Sequence, residues 1–139
     1  MAAAAIRLSI AALALVGASC TSVAMEQRSL SDTQWSVVAI NGEPAPGSIR
    51  FRAGQLSANF GCNRASGAYR VVGDRIEIGP MAATQMACEP ATDEPTAHPM
   101  RFENMGFSVL NRALNVRWMS GNRVILSNKA GSIELRRTP

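Results

Sequence analysis

Short runs of alternating apolar and polar residues, separated by glycine-bearing turns, recur through this chain and commit most of it to antiparallel strands. The clearest case is Ile49-Arg50-Phe51-Arg52, then Ala53-Gly54, then Gln55-Leu56-Ser57-Ala58-Asn59-Phe60, a hairpin with one face apolar and the other polar. Before it, Thr33 to Ile40 reads as a first strand anchored by Trp35, ended by the turn-rich loop Asn41 to Gly47, which no strand is expected to cross. After it, Ala68 to Val72 and Arg75 to Ile78 flank Gly73-Asp74 as a second hairpin, with Ile76 and Ile78 on one face. The last third returns to sheet over Ala113 to Met119, Arg123 to Ser127 and Ser132 to Arg136.

Two stretches break this rhythm. Met81 to Cys88 has no clear period, and it leads into an acidic, proline-bearing loop from Glu89 to Pro99. The one helix comes next, over Pro99 to Arg112, where Phe102, Met105, Val109 and Ala113 fall near helical spacing and Pro99 suits a first turn. Strands, one helix, then strands predict an α+β domain in which a small curled antiparallel sheet, or a partly open barrel, packs one α-helix.

The densest stretch chemically is Gly61-Cys62-Asn63-Arg64-Ala65-Ser66-Gly67-Ala68-Tyr69, which holds two glycines and the only tyrosine of the chain. Glycines this close together make the backbone turn sharply or run against another backbone, and Asn63 tolerates the left-handed conformations such a path needs. Two readings stand side by side. In one, Asn63, Arg64 and Tyr69 form a binding patch; in the other, Asn63 caps a turn, Arg64 pairs with a carboxylate and Tyr69 packs in the core.

Residues 1–24 read as an export signal rather than as part of the fold. Arg7 precedes the apolar run Leu8 to Val16, which is well short of the ~20 residues a spanning helix needs. Gly17-Ala18-Ser19-Cys20 resembles a lipoprotein cleavage box, in which Cys20 is lipidated and becomes the new N-terminus, although Gly17 stands where leucine is usual. Ordinary cleavage after Ser22-Val23-Ala24 is the alternative. Residues 25–31 are polar and read as a tether, leaving 32–137 for one domain. Either cleavage removes Cys20 from the pool of thiols and leaves Cys62 and Cys88 as an even pair in an oxidising compartment; they form a structural disulfide or remain two buried thiols.

Groups able to do chemistry are sparse. His98 is the only histidine, no metal-binding or nucleophile-elbow spacing surrounds it, and it reads as a solvated loop residue. Glu89, Asp93 and Glu94 lack the alternating ligands and glycine of a calcium loop. Cys62 and Cys88 are too far apart for a C-x-x-C redox pair. Met81, Met86, Met100, Met105 and Met119 with the two thiols are candidate soft ligands for copper(I), and equally core filler. The pI near 9.6 comes from arginines scattered without a run of like charge, so no nucleic-acid surface is expected. No catalytic residue, resident metal or cofactor is assigned.

Trp35 in the opening strand, the run Gly61-Cys62-Asn63-Arg64 with Gly67 and Tyr69, and Thr84 with Met86-Ala87-Cys88 together resemble the META domain, or HslJ-like, family over about residues 30–136. The later helix and the strand Gly121 to Leu126 fit the same pattern. The resemblance implies a small β-rich, barrel-like domain with one helix on an exported or lipid-anchored protein, and a loosely defined role in envelope stress, drug tolerance or virulence, with no reaction attached. The resulting expectation is a non-enzymatic envelope lipoprotein that binds or stabilises an unidentified envelope protein or ligand. It would be tethered by its lipid to the outer membrane facing the periplasm, or be soluble in the periplasm. A copper(I) handler, or an inhibitor or accessory of another envelope protein, is the alternative.

Overall fold

The computed structural model describes residues 28–89, 98–120 and 122–139. The export signal with Cys20, the start of the tether (residues 25–27) and residues 90–97 of the acidic loop, with Asp93 and Glu94, lie outside the described residues.

The strands are β1 (Thr33–Ile40), β2 (Glu43–Pro44), β3 (Ser48–Arg52), β4 (Gln55–Asn59), β5 (Arg64–Val72), β6 (Arg75–Ile78), β7 (Ala82–Ala83), β8 (Leu114–Trp118), β9 (Arg123–Asn128) and β10 (Gly131–Arg137), and the helix α1 spans Pro99–Leu110. Every pairing is antiparallel. Neighbours run β1-β3-β4-β5-β6-β8-β9-β10, and β10 then pairs with β1, so eight strands close into a barrel; β2 adds to β1 and β7 to β5. This corrects the expectation of a curled sheet or partly open barrel: the molecule is mostly β, and its barrel is shut. Closure removes the free strand edges on which chains otherwise aggregate.

The closing seam depends on an irregularity in β1. Its pairing with β10 shifts register between Val37 and Ala39, a β-bulge that leaves Val38 without an opposite residue. Trp35, Val37 and Ile40 are all buried as a result, although strict alternation would turn Ile40 outward. The bulge bends β1 so that its first half pairs with β3 and its second half with β2. The turn-rich loop after Ile40 is therefore not free of strand structure as expected, because Glu43 and Pro44 fold straight back onto Ile40 and Ala39.

Alternation elsewhere sends one row inward. Ile49, Phe51, Leu56, Ile76, Leu114, Val124, Leu126, Ile133 and Leu135 fill the barrel, as side chains do in eight-stranded barrels of this bore. At one end Trp35 and Trp118 meet with ring centroids 6.0 Å apart, and the Trp35 indole N–H donates to Thr33 Oγ1 over 2.7 Å.

Helix α1 closes the other end, where β1, β4 and β9 finish and β5, β8 and β10 begin. Its buried face carries Phe102, Glu103, Gly106, Val109 and Leu110. The expected helix is thus present, but it stops at Leu110, with Asn111 as C-cap, rather than reaching Arg112. His98, expected to be a solvated loop residue, is its N-cap, with Nδ1 accepting from the Met100 amide at 3.3 Å, and Pro99 occupies the first turn. Asn128 at the end of β9 donates to the carbonyls of Val109 and Ala113, which the helix itself leaves unpaired. Arg101 grips Glu43 of β2 through both guanidinium nitrogens, which holds the Glu43 carboxyl below and the Arg101 guanidinium above their ordinary values.

Gly106 sets how closely α1 approaches the barrel. A Cβ there would lie 2.4 Å from Cε2 of Phe60, a ring fully buried and braced edge-on by Phe107 with centroids 5.4 Å apart. Alanine normally stabilises a helix interior over glycine by roughly 0.5–1 kcal/mol. At this position overpacking of about 1–3 kcal/mol outweighs that gain. Gly106→Ala is therefore expected to lower the midpoint of chemical denaturation; a raised midpoint would show that Phe60 has room to move.

Candidate functional site

The turn between β4 and β5 carries the Gly-Cys-Asn-Arg run, and it is built first by Asn59. The Asn59 side chain accepts from the Gly61 amide at 2.9 Å and donates to the carbonyls of Cys62 and Asn63 at 3.2 and 3.1 Å. Gly61 takes φ of +133°, a conformation L side chains rarely adopt, so the turn needs glycine there. Gly67 serves a different purpose: a Cβ would meet the carbonyl oxygen of Pro80 at 2.9 Å, so its absence lets the segment after β6 lie against β5. That segment, expected to be ambiguous, includes β7, which pairs Ala83 with Ala65 and Ala82 with Ser66.

Asn63 is the hub of a buried polar network. It is 2% exposed, and each donor and acceptor of its side-chain amide is engaged. Its Oδ1 accepts from Thr84 Oγ1 at 3.0 Å and from the Met86 amide at 2.7 Å; its Nδ2 donates to the Met86 carbonyl at 3.1 Å and to Glu103 Oε1 at 2.7 Å. The Asn63 backbone N–H donates to Glu103 Oε2 at 2.6 Å, so one carboxylate takes two N–H groups of one residue. Arg64 continues the contact, its N–H donating to Thr84 Oγ1 at 3.1 Å and its carbonyl accepting from the Thr84 N–H at 3.0 Å.

Glu103 is 4% exposed and has no cationic partner among the described residues, whose ion pairs join Arg70 to Glu77, Arg101 to Glu43 and Arg123 to Glu134. A buried carboxylate is costly unless hydrogen-bonded, and here the Asn63 donors supply that compensation. Beside this pair Cys62 and Cys88 are joined in a disulfide with Cα atoms 6.0 Å apart. Three separate stretches, the β4–β5 turn, residues 84–88 and α1, are thereby tied at one point.

The proposed patch of Asn63, Arg64 and Tyr69 does not form. Asn63 is buried and saturated, whereas Arg64, one residue on, points outward from the barrel and is exposed. Tyr69 lies five residues further along β5, half-buried, with its ring edge-on to Phe51 at 5.0 Å between centroids. Arg64 also has no carboxylate partner among those ion pairs. The disulfide, while intact, withholds both thiols from a soft metal; of the methionines, Met81 and Met105 pack against the core and Met86 is exposed. Among the described residues no three His, Cys, Asp or Glu side chains cluster as a metal site.

Glu103 escaped the reading of the sequence. Its signal is faint but physical: it lies three residues before Gly106 and seven before Leu110, on the helical face that packs inward, where an acid needs a partner. Asn59 gave no such signal, since its role depends on the turn it closes.

Residues 28–138 match the family model of the META domain. The chain belongs to the META-domain family. The fold is shared with a protein from Burkholderia xenovorans solved by NMR, at 21% identity and a TM-score of 0.57, covering 78% of this chain and 83% of that one. A second NMR structure aligns at 20% identity and a TM-score of 0.61, covering 76% and 88% of the two chains. At these identities the likeness concerns fold alone. No curated protein is similar enough in sequence to count as a relative.

Within this META domain the Asn63–Glu103 pair and the disulfide separate into two tests. Glu103→Gln preserves shape but sets an amide NH₂ against one of the Asn63 donors, so a loss of about 1–3 kcal/mol in unfolding free energy is expected, with Glu103→Ala at least as costly. A Gln variant of unchanged stability would show that the carboxylate is dispensable. The disulfide closes a sequence separation of 26 residues, for which chain entropy gives about 3 kcal/mol. Cys62→Ser, Cys88→Ser and the double variant are each expected to lose about that much under oxidising conditions; losses that add in the double variant would contradict a shared bond.

Proposed function

We propose that this META-domain protein is a non-enzymatic component of the bacterial cell envelope, anchored by lipid on Cys20, that binds or stabilises another envelope component under stress or drug exposure. The observation that carries the reading is the disulfide between Cys62 and Cys88. Disulfides persist in exported proteins and are rare where cytosolic reductants reach them. This agrees with the signal-like residues 1–24 and with the cleavage box that ends at Cys20.

A binding role is favoured over a catalytic one by the way the polar groups are used. A general acid or base has to reach a substrate proton, and a nucleophile needs a base beside it. Glu103 faces inward onto Asn63, and His98 has Nδ1 committed to the helix N-terminus. The groups with the most chemical potential therefore hold the domain together, and the surface is left to meet the partner. The outer membrane, facing the periplasm, is the location that the cleavage box favours, because Thr21 rather than aspartate follows Cys20.

Intact mass spectrometry of the mature protein, purified from its own membranes, tests this reading. The expected species begins at Cys20, carries the added mass of acyl chains and lacks two hydrogens for the disulfide. A chain beginning at Met25 would remove the anchor, and a full-length chain in the cytosolic fraction would remove export altogether.

A further inference from the structure

The outer face of β1, β3, β4 and β5 carries a groove that neither the internal network nor the lipid anchor uses. It is lined by Gln34, Ser48, Arg50, Ser57, Asn59 and Arg64, side chains that the alternation of buried residues turns away from the barrel interior. Strand register places them in two adjoining rows. Gln34 lies opposite Arg50, which lies opposite Ser57; Ser48 lies opposite Asn59, which lies opposite Arg64. Arg50 and Arg64 thus stand on β3 and β5 with β4 between them, two strand spacings apart across the sheet and two residues apart along it, or about 12 Å between Cα atoms. The small hydroxyl residues Ser48 and Ser57 form the floor between two long cationic side chains.

Each arginine is held in a different way, and both are left with donors to spare. The Arg50 Nε and Nη2 donate to Gln34 Oε1 at 3.1 and 2.5 Å, a contact that orients the guanidinium without neutralising it. Arg64 is fixed through its backbone, both of whose polar groups bond to Thr84, while its side chain is exposed and takes part in none of the ion pairs among the described residues. Asn59 has its amide committed to the β4–β5 turn and contributes a wall rather than a donor. Among the described residues no acidic side chain lines the groove. Asp32 lines an adjoining depression that shares Gln34 and Arg50 with the groove, and it pairs with neither arginine.

We propose that this groove is an oxyanion site that grips a phosphate group between Arg50 and Arg64 over the hydroxyls of Ser48 and Ser57. A planar carboxylate is satisfied by a single guanidinium fork. Guanidiniums on opposite sides, Arg50 through the Nη edge that Gln34 leaves free and Arg64 through its whole fork, with hydroxyl donors beneath, suit a tetrahedral group that presents two or three acceptor oxygens and between one and two negative charges. Such a phosphate comes either free in solution, as an ion or ester, or on the headgroup of a phospholipid. The site does not depend on export or on the lipid anchor, so its failure would leave the proposed function standing, and the reverse holds as well.

The test is NMR titration of the full chain in nonionic micelles, following the arginine Nε–H resonances. One arm adds inorganic phosphate, and the other adds a short-chain phosphatidylglycerol, with short-chain phosphatidylcholine as its zwitterionic control. Saturable shifts confined to Arg50 and Arg64, with Arg117 on β8 unmoved, are expected in at least one arm. Arg50→Gln and Arg64→Gln should each weaken that binding roughly tenfold or more, as expected for losing a charge-assisted hydrogen bond, while Arg117→Gln leaves it unchanged. Saturation by phosphate alone assigns a free phosphate; tighter binding of phosphatidylglycerol than of phosphate or phosphatidylcholine assigns a headgroup. Shifts that grow without saturation, or that spread equally over the exposed arginines, would reduce the groove to general electrostatic attraction and overturn the proposal.

Discussion

The carboxylate of Glu103 and the two N–H groups of Asn63 are the contact on which the closed end of this barrel depends. A helix laid across a barrel mouth buries apolar surface, but apolar contact is non-directional and does not fix the helix in register. Two charge-assisted hydrogen bonds at 2.6 and 2.7 Å to one residue do. They also solve a problem that the turn creates, since the Asn63 backbone N–H points into the protein rather than along the β4–β5 ladder. Because the other half of the Asn63 amide bonds Thr84 and Met86, the same residue docks residues 84–88, and the disulfide repeats the tie covalently a few ångströms away. A polar network of this kind is favourable only when complete, which is why each of its members is placed so tightly.

Barrel closure is the second constraint, and it acts over a long sequence separation. β10 pairs with β1 almost a hundred residues away, so the first and last strands of the domain stabilise each other or neither is held on that side. The bulge at Val38 makes the seam possible, since it turns Ile40 inward where the interior would otherwise lack a side chain and frees the end of β1 for β2. Ion pairing of Arg101 with Glu43 then connects β2 to α1, so the cap and the seam meet at one place.

Much of this is legible in local pattern. Alternation in Ile49 to Arg52 and Gln55 to Phe60 marks the first hairpin, and helical spacing near Phe102 and Val109 places α1 within two residues of its end. What local pattern does not carry are relations between distant residues. The closing of the barrel is invisible in β1 or β10 taken alone. The interval of three between Val37 and Ile40, which betrays the bulge, looks like a lapse of alternation until β10 supplies the register. Asn63 stands out for its turn-forming chemistry, yet its burial depends on Glu103, forty residues later, on a helix whose acid residue looks like any surface charge. Tyr69 misleads for the converse reason: closeness in sequence to Arg64 suggests a shared patch, but five residues along a strand carry the chain about 17 Å.

Of the two readings of the Gly-Cys-Asn-Arg run, the structural one describes Asn63, while Arg64 beside it enters only the proposed oxyanion site. In a strand, consecutive side chains point to opposite faces, so fixing Asn63 inward fixes Arg64 outward. The network that saturates Asn63 also bonds the Arg64 backbone to Thr84, so this exposed arginine stands on a fixed stretch of backbone. Arg50 is prepared by a different device, the Gln34 contact on its own face of the sheet. In the proposed oxyanion site the two arginines are thus placed in unlike ways, Arg64 by a backbone fixed on Thr84 and Arg50 by a side-chain contact to Gln34.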